Sequence, residues 1–229
     1  MLKSGIDQDR IIEMFATASA GGTDQLRKGV QQATLAALQG RELTLKNIRA
    51  VLKTVADAAS TGAAQNKLPN VDVEALLDKA VTGMDEALLK AVEANRVALQ
   101  QLVNQGADLR EKHLKKALAD LEAMEDGFIG ALKKAADAAG AQAGQAWAPL
   151  LEKLQAGGTL SGAKAATTAE QFIGQMQGAL RDSRAAGLKA AQTLAESYAA
   201  LVSGVLIGMS DALTQGGRAA APKAAAKKK

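Results

Sequence analysis

Between Leu77 and Leu114, residues return to one side of a helix in steps of four, four and three, and most of them are apolar. The series reads Leu77, Val81, Met84, Leu88, Val92, Asn95, Leu99, Val103, Gly106, Arg110 and Leu114. The same steps recur through Met176, Leu180, Ser183, Gly187, Ala191, Leu194, Tyr198, Val202, Val205, Met209 and Leu213. Eleven residues over three turns is about 3.67 per turn, so each stripe stays along one edge of a nearly straight helix. Strands need alternation with period two, which no stretch sustains. The pattern predicts an all-α protein: an elongated helical bundle or hairpin of long amphipathic helices, packed in a coiled-coil-like manner or laid against an apolar surface.

Composition agrees with packed rods better than with a sphere. Alanine supplies 51 of the 229 residues, and only five aromatics occur: Phe15, Phe128, Trp147, Phe172 and Tyr198. Burial stabilises at roughly 25 cal/mol per Å², and alanine has little area to bury. There is no cysteine and one histidine, which excludes disulfide scaffolds, thiol nucleophiles and Cys/His metal sites.

Prolines and glycine pairs divide the chain. Short helices are expected over about 7–20, from Thr23 to Gly40, and from Thr44 to Asn66, with a turn at 67–70 and Asn70 or Asp72 as the next cap. From Asp72 to Trp147 no proline or turn cluster intervenes, and a continuous helix there would reach roughly 110 Å. Gly127–Gly130 is the expected place for any break. A short helix should follow Pro149, then a loop over Gly157–Gly162. Thr167-Thr168-Ala169-Glu170 reads as a capping box opening a last helix to about Gln215. The regions are therefore 1–66 (short helices), 67–156 (long amphipathic helix and a short one), 157–217 (C-terminal long helix) and 218–229 (a disordered basic tail). Gly-x-x-x-Gly spacings at Gly140/Gly144, Gly174/Gly178 and Gly204/Gly208 would allow close helix pairing. Leu52–Ala59 and Leu132–Ala139 share a partial echo.

No residue constellation names a reaction. His113 lies among Arg110, Glu111, Lys112, Lys115 and Lys116, without a second histidine or a thiol, and reads as a solvated side chain. Glu122, Glu125 and Asp126 lack the spacing of a calcium loop and read as a solvated face. Gly21-Gly22-Thr23 and Gly157-Gly158-Thr159 lack a phosphate-loop lysine and read as helix boundaries. Trp147 and Tyr198 each join an apolar ring to a polar handle, suited to an apolar–water boundary or to packing between helix ends. The expectation is a non-enzymatic protein with no catalytic residue, cofactor or metal.

The contact residues expected are the stripes' apolar members: Leu77, Val81, Met84, Leu88, Val92, Leu99, Val103, Leu114, Met176, Leu180, Leu194, Tyr198, Val202, Val205, Met209 and Leu213. They should serve an apolar granule or lipid-like surface, a homo-oligomer, or each other. Net charge is +4, but Arg218, Lys223, Lys227, Lys228 and Lys229 leave residues 1–217 at −1. Such an arm attracts polyanions without reading sequence, so weak nonspecific DNA contact is expected of it. No signal-peptide core follows the first ten residues. The longest uncharged apolar stretch near the end, Ser197–Ser210, is fourteen residues against about 20 for a membrane span. The expected location is the cytoplasm, with no transmembrane segment.

The Ala/Pro/Lys tail Ala219–Lys229, the alanine-rich helical body and the two stripes resemble the phasins, which coat polyhydroxyalkanoate storage granules. The tail is also similar to those of histone-like bacterial proteins. The phasin resemblance implies granule coating, control of granule size, oligomerisation and sometimes tethering to the nucleoid through the basic arm. Residues 26–64 depart from the aromatic-containing signature of that family. The alternative expectations are a nucleic-acid-associated structural protein that uses the basic tail, and a soluble helical scaffold for a protein partner.

Overall fold

The computed structural model describes residues 6–19, 21–39, 43–105 and 112–182. Every regular element among them is an α-helix: α1 (Gln8–Ala16), α2 (Thr23–Leu38), α3 (Leu45–Gln65), α4 (Val73–Asn104), α5 (Lys112–Glu122), α6 (Met124–Ala138), α7 (Ala141–Gly157) and α8 (Leu160–Asp182). The fold is all-α and bundle-like, as the stripes require.

Local caps set the early helices where the sequence puts them. Asp7 accepts from Arg10 N, Thr44 from Asn47 N, and Asp72 from Glu74 N. These side-chain acceptors satisfy first-turn donors that have no partner within the helix. Asn70, a cap candidate, sits instead in the left-handed region (φ 62°) of the turn before α4. Thr23 does not cap α2; Gly22 holds that position with no side-chain bond.

The expected rod over 72–147 is not continuous. The chain leaves the helix at Gln105, turns at Ala123 and leaves it again at Ala139; α7 packs back on α6 and α4, while α5 packs on α8 and α6 on α3. A single rod would have left its apolar edge in water, whereas the folded chain buries it, and burial is the dominant favourable term. No break occurs at Gly127–Gly130, which lies inside α6. Pro149 likewise fails to end a helix, because it stands exposed within α7, where an unpaired carbonyl can be solvated. The capping box expected at Thr167 is also corrected. Helix α8 begins at Leu160, and Thr167 and Thr168 lie inside it, their hydroxyls bonded to Ala163 O and Lys164 O at 2.9 and 2.8 Å.

One apolar core runs from Ile11 on α1 to Phe172 on α8. Its most extensive seam joins α2 to α4, followed by α1 with α3 and α3 with α6. Two seams depend on glycine. A Cβ at Gly62 would lie 2.4 Å from Ile12 O, and one at Gly83 would lie 2.5 Å from Arg27 O. Only a residue without a side chain lets these helix backbones come so close. Of the Gly-x-x-x-Gly positions that are described, Gly140 and Gly174 face open space, and Gly144 meets only the carbonyls of Ala136 and Ala139. The echoed segments do meet. α3 and α6 run in the same direction, with Leu52 and Leu132 both fully buried.

Candidate functional site

The first stripe faces inward. Leu77, Met84, Leu88, Val92 and Leu99 have no exposed surface, Val81 has 7%, and Leu114 on α5 has 4%. Val103 is partly buried against the same core. Asn95, the polar interruption, is buried with them. The chain itself occupies this face, through α2, α3, α7 and α8 packed around α4. In the folded arrangement these residues meet no external surface. Met176 and Leu180 fall within α8, whereas Leu194, Tyr198, Val202, Val205, Met209 and Leu213 lie outside the described residues, as do Arg218, Lys223, Lys227, Lys228 and Lys229. The disordered tail expected at 218–229 falls in that same undescribed part.

Trp147 belongs to the core. It is fully buried and its indole N–H donates to Ser60 Oγ at 2.9 Å, while Ser60 donates in turn to Ala56 O at 2.8 Å. This pairing satisfies the one polar atom that would make burial of the ring costly. Large apolar side chains exposed among the described residues are few: Leu68 and Leu160. No three acids or histidines cluster in a way that could hold a metal ion among the described residues. A groove between α3 and α6 is lined by Arg49, Lys53 and Lys134, with Asp126 opposing them and Lys53 paired to Asp57 at 2.5 Å.

The most elaborate polar arrangement is at the start of α8. Both carboxylate oxygens of Asp85, a residue only 8% exposed on α4, accept backbone N–H groups, from Leu160 and Ser161, each at 2.9 Å. Glu125 on α6 accepts from Thr159 N at 2.6 Å, and Thr159 Oγ1 accepts from Gly162 N at 2.9 Å. The donors of Thr159 through Gly162 are thus all satisfied, three of them by acids from other helices. Carboxylates here also meet the positive end of the helix dipole. Glycine is needed next to them. Gly158 has φ +70°, and a Cβ at Gly162 would lie 2.8 Å from Glu125. Glu125 therefore leaves the solvated face on which its sequence neighbours Glu122 and Asp126 put it.

Further along, Lys164 pairs with Glu93 of α4 at 3.1 Å. Arg96 donates two N–H groups to Glu93 Oε1 at 3.0 and 2.6 Å. The Arg96 bonds hold the Glu93 carboxyl below its ordinary range, against partial burial, which pushes it up, and with help from Lys164; Arg96 is raised in turn, chiefly by its bond to Glu93. Under these polar contacts Ser161, Ala165, Thr168, Ala169 and Phe172 turn into the core.

Sequence reading missed Asp85 because an acid on an apolar face looks like an exposed edge residue. The one available signal was its position, four after Val81 and three before Leu88.

An all-α bundle in which carboxylates of α4 and α6 cap the start of α8 is thus the class of protein that fold and site define. The chain belongs to a family of unknown function (DUF6781), whose profile matches residues 1–215. No curated protein and no solved structure matches it. No helix among the described residues is long and apolar enough to cross a membrane.

Proposed function

We propose that this protein is a non-catalytic, phasin-like surface protein, whose helical body anchors an amphipathic C-terminal edge to an apolar particle such as a polyester granule. One observation carries the reading. The buried face of α8, Ser161, Ala165, Ala169 and Phe172, follows the steps four, four and three. Four more residues lead from Phe172 to Met176, the first member of the second stripe, which continues in the same rhythm to Leu213. The spacing of the buried face of α8 is therefore carried on in the sequence, in the same phase, by the stripe from Met176 to Leu213. Interrupted by Ser183 and Gly187, this edge is moderately apolar, which suits reversible adsorption.

Flotation with artificial polyester particles tests the reading. The full chain should travel with the particles, and replacing Leu194, Val202 and Val205 with glutamine should return it to the unbound fraction. A full chain that stays unbound beside a binding amphipathic control overturns the reading. If that chain instead binds DNA in a salt-sensitive way that ends with deletion of 218–229, the nucleic-acid alternative takes its place.

A further inference from the structure

We infer that α8 is a releasable strap: Asp85 and Glu125 latch it over the apolar row of α5, and its release presents that row, with Phe172, to the apolar particle proposed above. The inference rests on the reading of the protein as a surface coat and adds its control.

Three observations converge. First, the fastening is polar and concentrated at one end. Asp85 and Glu125 reach α8 from two other helices and hold the N–H groups of Thr159, Leu160 and Ser161. Directed bonds of this kind are lost together when the helix end moves away, and water then solvates both sides. Second, the described apolar grip rests on few large side chains. Among the described side chains of α8 the fully buried core residues are Ala165, Ala169 and Phe172, with Ile173 partly buried beside them. Helices with few buried apolar contacts open at lower free energy than the body they cover. Third, what lies beneath is built for a surface. α5 packs chiefly against α8, with Leu114, Leu118 and Leu121 buried on one side and Lys112, Lys115 and Lys116 exposed on the other. An apolar row backed by lysines is the pattern of a helix that lies in an apolar–water boundary.

Closed, the strap keeps α5 covered in water. Open, it presents the α5 row together with Phe172. An apolar particle that binds the open form shifts the population toward it by its differential affinity for the two forms.

The test compares the full-length chain with Asp85→Ala, using hydrogen exchange by mass spectrometry and adsorption to polyester particles. Asp85→Ala should speed exchange over 160–182 by about tenfold relative to α3, since two buried donors lose their acceptor. It should raise the bound fraction in parallel. Asp85→Asn, which keeps the volume and one acceptor, is read in the same way where the alanine variant unfolds the whole bundle. Exchange that rises equally in α2, α3 and α8 in both variants overturns the strap, because α8 then has no opening of its own. Unchanged adsorption by a variant with a loosened α8, beside a wild type that binds, overturns the strap alone. Failure of every chain to adsorb overturns the strap and the surface-coat reading together.

Discussion

Two seams of α4 hold the molecule in different ways. Toward α2, α4 presents Gly83, where the backbones come so close that a Cβ would lie 2.5 Å from Arg27 O and 3.0 Å from Val30 Cβ. Val30 of α2 is fully buried there, and Glu86 adds a clasp to Arg27 and, at 2.8 Å, to Gln31. Toward α8, the same helix offers Asp85 and Glu93 to a face made of serine, threonine, alanine and one phenylalanine. The first seam gains from area and shape, which fade only when the helices separate fully. The second gains from a few directed bonds, which are lost in one small displacement. One helix can therefore be core on one side and a hinge for detachment on the other.

The sharpest way to break this comparison is to remove the one large side chain of the α8 seam. Phe172→Ala should cost about 4 kcal/mol of α8 docking, as for other fully buried phenylalanines. The loss should be local. Amide protection should collapse over 160–182 while α3 and the α2–α4 seam keep theirs. Equal loss throughout would mean that the two seams form one cooperative unit.

The converse change is Gly83→Ala on the α2 seam. The added methyl meets a backbone carbonyl that cannot turn aside, so the helices must move apart, and overpacking of this sort costs about 1–3 kcal/mol. Alanine returns about 1 kcal/mol through its helix propensity. A net loss of up to about 2 kcal/mol is expected, visible in urea unfolding as a lower midpoint of the main transition. An unchanged or raised midpoint would show that the close approach is not tight.

These two residues also mark the limit of what sequence could tell. The period of four, four and three showed which residues share a face, and that face is buried from Leu77 to Leu99. It did not show what covers the face, since a stripe is equally complementary to a neighbouring helix, a second chain or an oily particle. Gly83 reads in isolation as a weak point in a helix; the reason for it lies on α2, some fifty residues earlier. Local caps were legible at Thr44 and Asp72 because donor and acceptor are three residues apart or fewer. At α8 the boundary was legible at Gly157-Gly158-Thr159, where Thr159 caps locally by accepting from Gly162 N, but its other acceptors were not: Asp85 is 75 residues from Leu160 and Glu125 is 34 from Thr159. Folding back of the region 72–147 escaped for the same reason: nothing local forbids the rod, and only burial of its stripe decides against it. The function proposed from the second stripe draws on residues 183–213 as sequence, joined to the structure through the phase of α8.

The smallest expected effect concerns acid. Arg96 and Lys164 hold the Glu93 carboxyl below its ordinary range in the folded protein. A group whose folded value lies below its unfolded one, about 4.3 for glutamate, adds stability above that value and loses it as pH falls through the folded one. The α4–α8 clasp should therefore weaken only below about pH 4, when protonation leaves Lys164 without its partner. Because Glu93 is 40% exposed, solvent screens the pair and the change should stay below about 1 kcal/mol. Chemical unfolding of wild type and Glu93→Gln, followed from about pH 6 to about pH 3, isolates the effect. The two chains should differ at the upper end and converge at the lower. The same titration sharpens the contrast between seams. If α8 opens by itself, the difference should appear in exchange over 160–182 before it appears in the main transition. A difference confined to the main transition would tie Glu93 to the whole bundle instead.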